Sequence, residues 1–128
     1  MRFRIYVLFT TPEATKAALQ HAEKLSAGLN AEIALILTPV VPYPLPLDEP
    51  PTSLDLAQEQ IRSAANSVDH EVVGYILLCR DPLNTLEHAL SPHSLLLIGL
   101  KTRWGLSKTE RLARALRRRG HDVILQTT

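Results

Sequence analysis

Short blocks that are apolar throughout alternate along this chain with longer stretches in which apolar residues recur every three to four positions. The first kind reads as strands buried on both faces, and the second as helices with one buried stripe. The clearest strand is Ser94-Leu-Leu-Leu-Ile-Gly99, four large apolar residues closed by a glycine. Arg2–Phe9, Ala31–Leu37, Glu71–Cys79 and Val123–Gln126 read the same way, with Gly74 marking a bulge or a close approach inside the third of these.

The intervals between these blocks carry helix signals. Thr11 is the expected N-cap of the first helix, with Pro12 at the permissive first position and Glu13 favourably placed against the dipole. Its stripe is Ala14, Ala18, Ala22, Leu25 and Leu29, with Ala17 and His21 beside it, and Gly28 or Asn30 ends it. A second helix follows Thr52 or Ser53, buries Leu54, Ala57, Ile61, Ala64, Ala65 and Val68, and closes at Asp69-His70. Asp81 caps a third, with Pro82 in its first turn, Leu83, Leu86, Ala89 and Leu90 inward, and Ser91-Pro92 at its end. Ser107-Lys-Thr-Glu110 fits a capping box for a fourth, which runs from Lys108 to Arg119, buries Leu112, Ala115 and Leu116, and stops at Gly120. Between Pro39 and Pro51 stand six of the nine prolines, which excludes a helix or an interior strand and predicts an extended surface crossover. A polyproline ligand is the rival reading of that segment.

Strand and helix therefore alternate, five of one and four of the other. Right-handed crossovers turn such an order into an α/β fold, an open five-stranded parallel sheet with helices on both faces, here as a single domain over residues 1–128. A buried strand, a glycine turn and a capped helix, as at residues 94–110, make a ligand-binding corner in folds of this kind.

Composition narrows the function. With 45% hydrophobic residues the chain is globular, and no apolar run reaches the ~20 residues of a membrane helix. The opening Met-Arg-Phe-Arg-Ile-Tyr enters a strand rather than a signal-peptide core, so a cytoplasmic location without membrane attachment is expected. Cys79 is the only cysteine, which leaves no disulfide framework and suits a small buried thiol. The net charge is +1, yet eight of the fourteen basic residues fall between 101 and 119 with Glu110 as the single acid among them. Lys101, Arg103 and Lys108 could hold an anion at a helix start, whereas Arg111, Arg114, Arg117 and Arg118 read as a solvated outer face. Nucleic acid is not expected as a partner, because the charge is near neutral and aromatic residues are few. Trp104 could cover a pocket or anchor a protein partner. The five histidines have no metal-like spacing, Leu106-Ser107 stands where a Walker loop needs Lys-Ser or Lys-Thr, and no Gly-x-Ser-x-Gly elbow exists. Catalysis has little support.

The succession of these features resembles a universal stress protein domain over nearly the whole chain. The resemblance is carried by the first strand leading directly into a capped alanine-rich helix, by Ala31-Glu32-Ile33 entering the second strand, and by the proline-containing loop after it. Asp81-Pro82 opening the third helix, and Ile98-Gly99 followed by Arg103-Trp-Gly-Leu106, complete it. It implies strand order 3-2-1-4-5 in an adenine nucleotide alpha hydrolase-like arrangement, a homodimer through the last strand, and a crevice between strands 1 and 4. ATP or another adenine nucleotide is the ligand it suggests there.

The chain departs from the family's ATP pattern of Gly-x-x-Gly, nine residues, then Gly-Ser or Gly-Thr. Gly99 matches the first glycine, but Thr102 stands at the second and Leu112-Ala113 at the final pair, where a leucine side chain would fill the space of a phosphate. Thr10 replaces the usual acidic residue at the end of strand 1, and Pro39, after Thr38, has no N–H to offer a base. The resemblance thus predicts a stress-response or regulatory protein that acts by dimerisation and by binding a partner or ligand, with the ATP site eroded and no cofactor firmly implied. One alternative is a nucleotide or anion sensor contacting its ligand through Thr10, Thr11, Thr38, Gly99, Lys101, Arg103, Gly105 and Ser107. Another is a small hydrolase or transferase on the same scaffold.

Overall fold

The computed structural model describes residues 3–41, 54–91, 94–100 and 108–127. In chain order the elements are β1 (Arg4–Leu8), α1 (Pro12–Ser26), β2 (Glu32–Leu37), α2 (Leu54–Ala65) and β3 (Val72–Ile76). They continue with α3 (Pro82–Ala89), β4 (Ser94–Leu100), α4 (Lys108–Arg118) and β5 (Asp122–Thr127). The strands form one sheet in the order β3-β2-β1-β4-β5, parallel at every pairing. The expected α/β architecture and strand order are both present.

Alternation along the strands divides the core into two layers. Ile5, Val7 and Phe9 of the β1 region, with Ile33, Leu35 and Leu97, face Ala18, Leu19 and Ala22 of α1 and Ala64 of α2. Tyr6 and Leu8, with Ala34, Ile36, Leu96 and Ile98, face Leu86 of α3 and Ala113 and Leu116 of α4. Burial on both faces explains why the central strands are apolar without a break.

The caps behave as their chemistry demands. Thr11 Oγ1 accepts from the Ala14 amide at 3.3 Å, and Asp81 Oδ1 accepts from the Leu83 amide at 3.1 Å. Asn30 and Gly120 take the left-handed conformation after α1 and α4, at φ 49 and 92. The capping box at Ser107 and the proline run from Pro42 lie outside the described residues.

Several expected boundaries shift. α1 ends at Ser26, so Leu29 falls beyond it and is 53% exposed, while Leu19, absent from the expected stripe, is fully buried. α2 ends at Ala65, leaving Val68 past its end, and Leu54 at its first turn is exposed. β3 spans only Val72–Ile76. Cys79 lies beyond it and makes an isolated parallel bridge with Val40. β3 is an edge strand covered on the α2 side, where Gly74 lets Ile61 approach: a Cβ there would lie 2.5 Å from Ile61 Cγ2. On the opposite face Val73 and Tyr75 are exposed. In α4 the fully buried residues are Ala113 and Leu116, whereas Leu112 and Ala115 are only partly covered.

Candidate functional site

The sheet order reverses direction at β1. From β1 the chain moves through α1 to β2 on one side, and β4 enters on the other, so the crossovers leave to opposite faces and the C-terminal ends of β1 and β4 are left open between them. The register brings Leu8 level with Ile98, which sets Phe9 and Thr10 beside Gly99 and Leu100.

Thr10 ties these two ends together. Its Oγ1 donates to the Gly99 carbonyl at 2.6 Å, and its amide donates to Thr15 Oγ1 at 3.0 Å. The hydroxyl proton of Thr10 is therefore already committed within the protein. Gly99 is required for packing: a Cβ there would lie 2.1 Å from the carbonyl oxygen of Ala14, in the first turn of α1. Its missing side chain makes room for α1.

Above this junction opens a crevice of about 650 Å³. Its floor and one wall come from Leu8, Phe9, Thr10 and Thr11, with Thr38 beyond the end of β2. Asp81, Pro82 and Leu83 at the start of α3 form a second wall. The third is α4, which contributes Leu112 and Ala115 deeper down and Lys108, Thr109 and Arg111 nearer its start. Of the residues singled out from the sequence, Thr10, Thr11 and Thr38 line this crevice together, and Gly99 lies next to Thr10. Lys101, Arg103, Gly105 and Ser107 lie outside the described residues.

Two further outcomes concern α4. Leu112 forms part of the crevice wall, and the crevice remains open beside it. Because α4 begins at Lys108, Leu112-Ala113 sit in its second turn, where amides already bond within the helix; the donors free to meet an anion belong to the first turn, at Lys108 and Thr109. Arg111 belongs to the crevice, whereas Arg117 is tied away from it, donating through Nε and Nη2 to the Val123 carbonyl at 3.1 and 2.8 Å. Arg119 pairs with Glu87. Arg111, Asp81 and Leu83 were missed as lining residues from sequence; the helical spacing of Lys108 and Arg111 was the available signal.

The rest of the described chemistry is structural. No group of three His, Cys, Asp or Glu side chains among the described residues could hold a metal ion. At the other end of the strands Arg4 pairs with Glu32 at 3.1 Å and donates to the Tyr6 hydroxyl at 3.2 Å, which in turn meets Ser91 Oγ at 3.2 Å. Burial pulls the Tyr6 phenol up, but the hydrogen bonds to Ser91 and Arg4 outweigh it and the net direction is down. His21 Nδ1 meets Gln126 Oε1 at 2.6 Å, joining α1 to β5, and the Glu23 carboxylate accepts from the Asp69 and His70 amides at 3.0 and 3.1 Å.

Cys79 is buried near Asp81. Burial pushes its thiol above the ordinary value of 9.0, a hydrogen bond with Thr85 opposes this, and the Asp81 charge adds to it. The folded protein is accordingly expected to resist a disulfide reagent such as dithionitrobenzoate at pH 8 and to release one equivalent only when denatured. The sign for stability follows: the raised value favours the folded state fully below about pH 9, and that contribution is lost as pH rises through the folded-state value. Denaturant titrations between pH 8 and 10.5 should show this slope, and Cys79→Ala should flatten it.

No protein-family model and no curated protein matches the sequence. Solved structures do. A universal stress protein from Archaeoglobus fulgidus superposes with a TM-score of 0.72 at 14% identity, covering 98% of this chain and 93% of that one. The fold is that of the universal stress proteins. A universal stress protein from the same organism in complex with dAMP covers 98% of this chain and 97% of its own, with a TM-score of 0.67 and 13% identity. A universal stress protein in complex with cAMP gives 0.59 and 13%, covering 96% and 95%. Among the described residues no helix is long and apolar enough to cross a membrane.

Proposed function

We propose that this chain is a non-enzymatic regulatory domain that works by binding a small ligand in the crevice between β1, α3 and α4. The observation that carries this reading is the crevice itself, an apolar-walled space of about 650 Å³ at the sheet's switch point, with Lys108 and Arg111 on one wall. Reaction chemistry is not supported there. Of the described lining residues Asp81 is the only carboxylate, it is engaged as the cap of α3, and no histidine, cysteine or serine accompanies it. The family's ATP mode is eroded in this reading, because the Thr10 hydroxyl serves Gly99 and brings no charge, and because Leu112 offers the ligand an apolar surface. A homodimer through the free edge of β5 goes with it, as the resemblance implies.

Calorimetric titration with Mg-ATP, ADP and AMP, with nucleotide analysis by chromatography before and after, tests this. The expected result is no saturable ATP binding below about 100 μM and unchanged nucleotide. Micromolar ATP binding would overturn the eroded site, and ATP consumption would overturn the non-enzymatic reading. Sedimentation at two protein concentrations tests the dimer.

A second reading, an adenine mononucleotide sensor, draws support from the complexes of two structural neighbours with dAMP and cAMP. Saturable AMP binding without ATP binding would favour it.

A further inference from the structure

We infer that the crevice is built for an amphipathic monoanion, a small carboxylate with an apolar body, instead of a polyphosphate. The inference deepens the ligand-binding reading above and rests on it. Three features of the walls point the same way.

The first is that the lining below the rim is mostly hydrocarbon; Thr10 and Thr11 stand beside it, but the Thr10 hydroxyl donates to the Gly99 carbonyl and Thr11 Oγ1 accepts from the Ala14 amide. Phe9, Leu83, Leu112 and Ala115 surround the space below the rim, and Pro82 has no N–H to offer. A ligand with many polar atoms would leave them without partners against such walls, at a cost that apolar burial avoids. The second is the placement of the positive charge. Lys108 and Arg111 stand three positions apart at the start of α4, on the same side of the helix, and both line the crevice. Among the described residues neither is engaged in an ion pair. The third is Asp81, which lines the same crevice from the start of α3. Its carboxylate caps α3, accepting from the Leu83 amide. A second or third negative charge extending from the ligand toward α3 would meet it.

The arrangement therefore combines a cationic rim on α4, a largely apolar interior and an anionic residue at the start of α3. One negative group on the α4 side satisfies the cations, and an apolar body satisfies the rest.

The test uses the full chain, isotopically labelled at leucine methyl groups, titrated with decanoate, with decyltrimethylammonium as the same chain under opposite charge, with decanedioate as the doubly charged analogue, and with AMP. The expected result is saturable shifts of the Leu83 and Leu112 methyls with decanoate, at least tenfold weaker binding of decyltrimethylammonium and decanedioate, and about tenfold weaker decanoate binding in Lys108→Gln/Arg111→Gln. Equal response to decanoate and decyltrimethylammonium would overturn the anionic assignment, as would an unaffected double variant. Saturation of the same methyls by AMP and not by decanoate would overturn the amphiphile while leaving the ligand-binding reading standing. If no probe moves the crevice methyls, the binding reading itself fails.

Discussion

Gly99→Ala is expected to cost roughly 3 kcal/mol or more of folding stability, at or beyond the upper end of ordinary overpacking. The added Cβ would stand 2.1 Å from the Ala14 carbonyl oxygen and 2.6 Å from its carbon, both backbone atoms of a helix that is itself packed against β1 and β4. No rotamer change relieves that contact. Either α1 moves away from the sheet by about an ångström, loosening the interlocked layer of Ala18, Leu19 and Ala22, or the end of β4 moves and breaks the Thr10–Gly99 hydrogen bond. Gly28→Ala is the control, since nothing lies within 4 Å of its added Cβ, and a change within about 0.5 kcal/mol is expected. Urea denaturation followed by circular dichroism measures both. A Gly99→Ala protein as stable as its parent would show that α1 does not approach β4 at this residue, and the glycine would then be open to the phosphate role that the sequence suggested.

Leu19→Ala should destabilise the protein by about 2–5 kcal/mol, the range for a leucine removed from a closed core, whereas Leu29→Ala should change stability by less than about 0.5 kcal/mol. Leu19 is fully buried between α1 and the sheet, in the layer that also holds Val7, Leu35 and Leu97, while Leu29 is 53% exposed in the turn after α1. The same truncation at two leucines ten positions apart thus separates by several-fold in effect. Comparable midpoints for the two variants in a single denaturant series would contradict the packing of this face.

The two leucines also mark where reading the sequence fell short. The stripe Ala14, Ala18, Ala22 was legible because those small residues recur every four positions, and all three are buried. Continuing the same count to Leu29 failed because the helix ends at Ser26 and the chain turns through Asn30 in the left-handed conformation. Leu19 was passed over because it sits beside the stripe. Helix α1 covers a twisted sheet over a width greater than one row of side chains, so the positions flanking the row, Thr15 and Leu19, are buried with it. In α4, where Leu112, Ala115 and Leu116 were expected to be buried, Leu116 is fully buried together with Ala113, while Leu112, packed against the core at its edge, and Ala115 are only partly covered and line the open end of the strands.

By itself the sequence determined the alternation of strands and helices, the caps at Thr11 and Asp81, the glycine ending α4 and the parallel sheet, because each of these depends on neighbours within a few positions or on burial from both sides. The strand order came with the family resemblance, and the geometry agrees with it. Tertiary structure alone decided the site. That Thr10 spends its hydroxyl on Gly99, that Gly99 is needed by α1, and that Lys108, Arg111 and Asp81 line one largely apolar crevice follow from three chain segments meeting at one end of the sheet. Residues 10, 81 and 108 are far apart in sequence, and no local pattern records the distance between their side chains; it is set by the packing of α1, α3 and α4 on opposite faces of a shared sheet.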